Sequence, residues 1–473
     1  MPAGHLARNA VGQGGTYDAR VVARLQTWCG GRAQMATLLA VCALGLGLRL
    51  DYAIRVPFTP VDDARAYARI ARELSEHGRF AQAGPSASRL QPATNYSPGL
   101  PFVVAGVYEV RGEPDQTAAR LVLALLGSLA VPLAFALGRR LGGANAGLVA
   151  SVPMAIYPAL LEYQGMLMTE PLGATLLAAT TLCFLRACES ARPATFAGSG
   201  LLLGATVMVR PEFLVFVVLL PALAALHLAR RTSWRQVALP AGAIAAAACL
   251  VILPWTIRNL LVLDRFVPVS TGGGQALFEG SYIDAGPDPQ NIQATILAQH
   301  PELRRELVRE HSPRPPSGSG PFYLDQVVAA LASREHPGVR TDKALAEMGR
   351  HAYLESLVHR PLDLADFLAK KAARVWVFGA RRVIERPSWK VFHLALMSVA
   401  LLGLLVGLVR REFDFIVIAT ILIVVTAIQA IFIASPRRTL LLLPLVCSLG
   451  GVGAIWLGAT VRARLDPSRA GPP

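Results

Sequence analysis

Long apolar blocks alternate with short polar and basic stretches along most of the chain. The blocks at 391–409 and 415–434 have the length, about 17–25 residues, that crosses the hydrocarbon core of a bilayer as a helix. A large soluble core would instead show shorter blocks with amphipathic flanks. The pattern predicts about ten membrane-spanning helices, at 34–53, 118–137, 143–161, 170–187, 195–209, 212–228, 236–257, 391–409, 415–434 and 439–459.

The segment 98–110 decides the topology. It contains Pro98 and Pro101 and is short for a span, which fits a re-entrant or interfacial helix. If it does not cross and the N-terminus is cytoplasmic, the short basic loops, such as those with Arg139 and Arg410, all lie inside, as the positive-inside rule requires. If the segment does cross, most of these basic loops would lie outside. We therefore predict ten spans in the inner (plasma) membrane, with both termini cytoplasmic and an uncleaved first span.

Composition agrees with this interpretation. Of the residues, 53% are hydrophobic and 16% are charged, whereas soluble domains carry about 25% charged residues. A net charge of +15 would suggest a nucleic-acid partner in a soluble protein, but here it marks cytoplasmic loops, so no nucleic acid is expected. The six cysteines suggest neither a disulfide framework nor a zinc site. The predicted fold class is an all-α polytopic membrane protein with external amphipathic helices and a long external loop.

Two long polar segments interrupt the spans and divide the chain. The second segment, about 258–388, contains a linker-like stretch at 311–321 and helical apolar spacing at 342–359 and 362–377. The predicted parts are a cytoplasmic tail (1–33), an N-terminal transmembrane module with its first external loop (34–257, loop 54–97), an external or periplasmic loop forming a small helical domain (258–388), C-terminal transmembrane helices (389–460) and a cytoplasmic tail (461–473).

Two adjacent carboxylates, Asp62 and Asp63, open the first external loop. Tyr67, Ile70 and Leu74 follow at helical spacing, so one interpretation is that Asp62 caps this helix. Capping needs a single carboxylate, however, and two of them just outside a membrane can also deprotonate an acceptor hydroxyl as a general base. Both interpretations stay open on the sequence alone.

A third carboxylate, Glu170, stands at the start of a predicted span. Thr169 or Glu170 could cap a helix whose first turn holds Pro171. An ionisable group at a span boundary, on the same predicted side as Asp62, also indicates a functional site.

Arginines occupy the same predicted outer boundary, against the usual charge bias. They are Arg210, Arg258 and the pair Arg437 and Arg438. A guanidinium fork suits a phosphate or diphosphate, which it can bind with two parallel hydrogen bonds. The alternative is snorkelling or contact with lipid headgroups.

Other chemistry has little support. The triplet Gly272-Gly273-Gly274 lacks the lysine of a phosphate loop and is better interpreted as a turn. The nine histidines form no spaced cluster, so no metal is expected, and no cofactor other than the donor substrate is implied.

Carboxylates that take a proton, arginines that hold phosphate and helices that hold a lipid together describe sugar transfer from a lipid-linked phosphate donor. Two other classes stay open. A transporter or flippase should show paired repeats with polar groups near the bilayer midplane, whereas this chain places its charges at the boundary. A structural envelope protein would not need acidic and basic groups at one interface.

The chain resembles the GT-C glycosyltransferases, in the branch of the protein O-mannosyltransferases and the lipid A aminoarabinose transferase. The resemblance covers most of 34–282 and, more weakly, 391–459, while 285–388 has no counterpart. It is carried by Asp62-Asp63-x-x-x-Tyr67, Tyr96-Ser97-Pro98-Gly99-Leu100-Pro101, Thr169-Glu170-Pro171, Pro254-Trp255 with Arg258-Asn259, and Arg437-Arg438.

This resemblance implies a GT-C-like helical bundle and an inverting transfer, usually without a metal, from a polyprenyl-phosphate sugar on the periplasmic or lumenal side. Asp62 would be the general base, Asp63 would assist it or position substrate, and Glu170 would contact sugar or acceptor. The arginines would hold the phosphate, and the motifs add Tyr67, Tyr96 and Asn259 to the expected substrate-binding residues. The expected partners are the bilayer, the lipid-linked sugar and an acceptor glycan, lipid or protein.

Overall fold

Helices account for nearly all of the regular structure in the computed structural model, which describes residues 31–83, 90–229, 234–310, 322–380 and 386–465. The helices are α1 (Arg32–Arg55), α2 (Asp62–His77), α3 (Gly99–Arg111), α4 (Gln116–Ser128), α5 (Ala130–Ile156), α6 (Pro158–Gln164), α7 (Thr169–Ser190), α8 (Pro193–Val209), α9 (Phe216–Ala229), α10 (Trp234–Leu263), α11 (Gly273–Ser281), α12 (Ile292–Gln299), α13 (Pro301–Glu310), α14 (Leu324–Glu335), α15 (Thr341–His359), α16 (Pro361–Val377), α17 (Pro387–Val409), α18 (Phe413–Ile431) and α19 (Thr439–Leu465). Two short strands, β1 (Ala81–Ala83) and β2 (Leu90–Pro92), pair antiparallel.

The predicted fold class is confirmed, because nearly all residues of the ten predicted spans are helical. Within the described residues, 8 stretches are long and apolar enough to cross a membrane, and α8 is a shorter apolar helix. One of the eight, Gln116–Ile156, is 41 residues long and contains two predicted spans. The second of these was predicted to continue to residue 161, but the helix ends at Ile156 because Tyr157 is extended ahead of Pro158.

A reversal at two glycines divides this long stretch. Gly142 and Gly143 have non-helical backbone angles, and Gly143 has a φ of 84°. A Cβ placed on Gly147 would lie 2.6 Å from the carbonyl oxygen of Phe135. In a straight helix those residues would be about 18 Å apart, so the two halves of α5 form an antiparallel hairpin.

Helix α3, the segment of uncertain topology, has both ends at the same end of the bundle. Its first residue, Gly99, lies against Val209 at the end of α8. Shortly after α3 ends, Arg120 donates hydrogen bonds to the carbonyl oxygens of Tyr52 (3.2 Å) and Val56 (2.9 Å), where α1 ends. The helix therefore does not cross, as the charge pattern favoured. Helices α1 and α8 finish at the same end of the bundle, and we call this end the site end.

The opposite end carries the basic loops. There Arg140 pairs with Glu189 at 2.8 Å and with Asp414 at 2.5 Å. The ion pairs join three connections of the bundle at this end: the reversal within α5, the connection from α7 to α8 and the connection from α17 to α18.

The polar segment that follows α10 forms a unit with its own core at the site end. Helices were predicted at 342–359 and 362–377, and α15 and α16 confirm them, while the linker-like stretch 311–321 lies outside the described residues. Buried apolar side chains from α11 to α15 make this core, among them Phe278, Ile296, Leu331 and Leu345. We call this unit, residues 264–380, the helical cap.

The helical cap is fixed to the bundle by buried polar contacts. Lys371 donates hydrogen bonds to the carbonyl oxygens of Gly280 (2.6 Å) and Phe432 (2.9 Å). Tyr353 also donates to the Gly280 carbonyl, at 2.8 Å. These contacts tie the end of α11 to the end of α18, and so they set where the cap lies over the site end.

Candidate active site

A cavity of about 820 Å³ opens between the site end of the bundle and the helical cap. Its bundle wall is formed by α2, the segment before α3 and the turn after α8, and its other wall is formed by α11 and the start of α14. The charged and tyrosine side chains that line it are Asp62, Asp63, Arg65, Tyr67, Arg69, Tyr96, Arg210, Glu212, Glu279, Tyr323, Asp325 and Arg438. Carboxylates and guanidinium groups thus line the same cavity.

Asp62 combines a place in the cavity wall with an unusual backbone. Helix α2 begins at Asp62, with Val61 at the N-cap position, and Asp62 has a φ of 47°. An N-capping residue ordinarily has an extended backbone, so capping does not account for this conformation. Left-handed non-glycine residues concentrate at functional sites, where the surrounding structure holds them in place.

Asp63 begins a chain of alternating charges that leads into the bundle. Arg437 Nη2 lies 2.9 Å from Asp63 Oδ2, and Arg437 Nε lies 3.5 Å from Glu170 Oε1. The same Glu170 oxygen lies 2.6 Å from Arg210 Nη2, and the Glu170 side chain is 0% exposed. The structure therefore brings four predicted site residues, from four separate parts of the sequence, into one network.

Arg438 stands on the cavity wall beside this network. Its Nη1 atom lies 3.6 Å from Glu212 Oε2, at the outer limit of an ion pair. Because Arg210 and Arg438 both line the cavity, two guanidinium groups face the space where an anion could bind.

Tyr67 and Tyr96 meet edge to face in the cavity wall, with ring centroids 5.3 Å apart and ring planes at 75°. Burial raises the pKa of both phenols, and the nearby Asp63 carboxylate raises both further. Each phenol therefore stays protonated at neutral pH and can donate a hydrogen bond to a bound oxygen.

Arg258 and Asn259 lie outside the set of residues that line the cavity. Arg258 donates to the Phe80 carbonyl oxygen at 3.1 Å, and its guanidinium lies 4.8 Å from the centre of the Trp255 ring. Asn259 donates to the Val269 carbonyl oxygen at 3.1 Å. These contacts hold the connections around the site, so any role in substrate binding stays a prediction for both residues.

Sequence reasoning missed the charged groups that the helical cap contributes. Glu279 and Asp325 both line the cavity, and Glu279 is almost fully buried. Their position depends on how the cap packs on the bundle, and the sequence carries no signal for that packing. Glu212 was visible next to Arg210 but was not predicted as a site residue.

No group of three or more His, Cys, Asp or Glu side chains is placed to hold a metal ion within the described ranges. The expectation that the chain works without a metal stays untested.

Comparison with known proteins gives one family match and several structural matches. A family model described as dolichyl-phosphate-mannose-protein mannosyltransferase matches residues 95–257. No curated protein matches the chain. The oligosaccharyltransferase AglB of Archaeoglobus fulgidus, in complex with an inhibitory peptide and a dolichol-phosphate, matches at 16% identity and a TM-score of 0.53, over 92% of this chain and 52% of AglB.

The apo form of the Archaeoglobus fulgidus enzyme gives 17% identity and a TM-score of 0.51, over 92% of this chain and 52% of that one. ArnT from Cupriavidus metallidurans bound to undecaprenyl phosphate gives 16% identity and a TM-score of only 0.36, over 93% of this chain and 81% of ArnT. The chain thus spans about half the length of the archaeal enzyme and shares its fold. In sequence, residues 95–257 are thus similar to the dolichyl-phosphate-mannose-protein mannosyltransferase family, and in fold the chain is similar to the archaeal membrane enzyme.

Proposed function

We propose that the chain transfers a sugar from a polyprenyl-phosphate donor to an acceptor hydroxyl, with inversion at the sugar carbon. One observation carries this proposal: carboxylates and arginines line a single cavity of about 820 Å³ at one end of a membrane-spanning bundle. The name of the matching family and the dolichol-phosphate bound to AglB support a lipid phosphate as the donor.

In the proposed reaction, the acceptor oxygen attacks the anomeric carbon from the side opposite the phosphate. The new carbon–oxygen bond forms as the bond from that carbon to the phosphate oxygen breaks, and the acceptor proton moves to Asp62. The polyprenyl phosphate leaves with the bonding electrons. Arg210 and Arg438 line the cavity and would stabilise the charge that develops on this phosphate.

We assign the role of base to Asp62 and not to Asp63. The Asp63 carboxylate is part of the ion-pair network, with Arg437 at 2.9 Å. Asp62 lines the same cavity with its backbone in the left-handed region. We infer that Asp63 and Arg437 position the start of α2 while Asp62 accepts the proton.

The proposed orientation puts the site end outside and the basic end in the cytoplasm. Arg140 lies beside the reversal within α5, Arg186 lies near the end of α7 and Arg410 directly follows α17, all at the basic end, as expected for cytoplasmic loops. This corresponds to a multi-pass protein of the inner (plasma) membrane, with an acceptor glycan, lipid or protein reaching the cavity from outside.

The proposal is tested with purified protein in detergent or proteoliposomes and a panel of polyprenyl-phosphate sugars. We expect one donor to yield both a glycosylated acceptor and free polyprenyl phosphate in equal amounts. Movement of the intact donor across the bilayer without release of polyprenyl phosphate would identify a flippase and contradict the proposal.

A further inference from the structure

The cap wall of the cavity holds a carboxyl group to which the reaction above assigns no part. Glu279 lies on α11, is 8% exposed and lines the cavity. Its Oε1 atom accepts a hydrogen bond of 2.7 Å from Gln275 Nε2, one helical turn earlier. With Oε1 engaged by Gln275, Oε2 is left to meet a ligand in the cavity.

Glu279 shares its cavity with the proposed phosphate site. Arg438 lines this cavity on the bundle wall and Glu279 lines it on the cap wall. In a polyprenyl-phosphate sugar the ring is bonded directly to the phosphate, so a phosphate at Arg438 places the ring beside this arginine. We infer that this ring extends towards the cap wall, where Glu279 lines the cavity.

We propose that Glu279, held by Gln275, binds a hydroxyl of the donor sugar by donating a hydrogen bond to it from a protonated carboxyl. The proposal rests on the proposed function and deepens it, because it names the group that distinguishes the sugar from the lipid phosphate. A protonated carboxyl suits a sugar hydroxyl as a hydrogen-bond partner. The hydroxyl oxygen accepts a hydrogen bond from the carboxyl, while the hydroxyl proton remains available for a second partner.

The surroundings of Glu279 favour the protonated form of its carboxyl. Burial raises the pKa most, Gln275 and Arg438 lower it, and the Asp325 and Asp63 carboxylates raise it, so that the net pKa is about 7 and the carboxyl is mostly protonated below that pH. Two other titratable groups, Lys371 and Tyr353, approach the end of α11, where both donate to the Gly280 carbonyl. Burial lowers the pKa of Lys371 to about 7.

This assignment predicts a pH dependence of donor affinity. The protonated carboxyl is the binding form, so the donor KM should be lowest below pH 7 and rise as the pH passes above about 7. A polyprenyl-phosphate sugar is a phosphodiester and does not titrate in this range, so the change would come from the protein. The measurement is the KM for polyprenyl-phosphate mannose between pH 5.5 and 8.5.

Two substitutions separate hydrogen-bond donation from a structural role. In Glu279→Gln the amide still donates but does not titrate, so transfer should continue and the rise in donor KM above pH 7 should disappear. In Glu279→Ala the donor KM at pH 6 should increase about ten-fold, the effect of losing about one hydrogen bond. The affinity for polyprenyl phosphate without a sugar, compared at the same pH, should stay the same in both variants.

Glu347→Gln is the matched control, because Glu347 is a half-exposed glutamate of the same helical cap and does not line the cavity. It should keep the wild-type KM and pH profile. A pH-dependent donor KM that persists in Glu279→Gln, or a change in the acceptor KM in place of the donor KM, would overturn the assignment. Absence of transfer by the wild-type protein with every donor would instead contradict the proposed function itself.

Discussion

Replacing Glu170 by glutamine removes a carboxylate that two arginines share. The Glu170 side chain is 0% exposed, and its Oε1 atom lies 2.6 Å from Arg210 and 3.5 Å from Arg437. Glutamine has nearly the same shape, so the substitution changes charge and leaves packing almost intact. The two guanidinium groups would then face each other across a neutral side chain.

The size of the effect follows from burial. Two unit charges at 2.6 Å attract by about 6 kcal/mol at an effective dielectric constant of about 20. Desolvation of both ions offsets much of that attraction, but removal of one partner leaves the other charge buried, which costs about 3–5 kcal/mol. We expect Glu170→Gln to lower the free energy of unfolding by about 3 kcal/mol, since Arg437 keeps Asp63 as a second partner.

Equilibrium unfolding in mixed micelles, followed by tryptophan fluorescence, measures this change. The matched control is Glu189→Gln at the opposite end, where the Glu189 side chain is 65% exposed and pairs with Arg140 at the similar distance of 2.8 Å. That substitution should change the free energy by less than about 1 kcal/mol. Equal changes in the free energy of unfolding for the two substitutions would refute the reasoning that burial makes the Glu170 ion pairs more stabilising than an exposed pair.

Two further predictions concern the cap and the orientation of the chain. A Cβ on Gly280 would lie 2.1 Å from the carbonyl oxygen of Phe432, so Gly280→Ala should loosen the cap and lower the melting temperature of the protein. Gly106→Ala is the control, because a Cβ at Gly106 meets open space and should not lower the melting temperature. Equal melting temperatures of the two variants would contradict the contact between the cap and the bundle. A cysteine that replaces Leu362, which is 83% exposed on the cap, should react with a membrane-impermeant maleimide in intact cells. A cysteine that replaces Arg410 should react only after the cells are permeabilised. The reverse labelling pattern would contradict the proposed orientation.

Most of the fold follows from the sequence because the bilayer imposes its thickness on each apolar block. The prediction was less accurate where a helix leaves the bilayer, since length and apolarity no longer limit it there. The span predicted to end at 257 continues as α10 to Leu263, past the polar pair Arg258 and Asn259. A helix can continue into water without an apolar sequence, and only its packing shows where it stops.

The candidate site was predictable in part, for a similar reason. Charges at span boundaries are costly and stand out, which is how Asp62, Glu170 and Arg438 were chosen. Their partners could not be predicted, because Arg437 and Asp63 are separated by 374 positions in the sequence and meet only through the fold. Glu279 could not be predicted either, since its burial arises from the docking of the helical cap.

The central claim is that Asp62 accepts the acceptor proton in a cavity where arginines hold the donor phosphate. The most direct test is the rate of sugar transfer by Asp62→Asn, measured with saturating donor and acceptor on protein that keeps wild-type insertion and thermal stability. We expect the rate to fall by at least about 10²-fold, the usual contribution of a general base, with donor affinity unchanged. Wild-type transfer by this variant would contradict the claim.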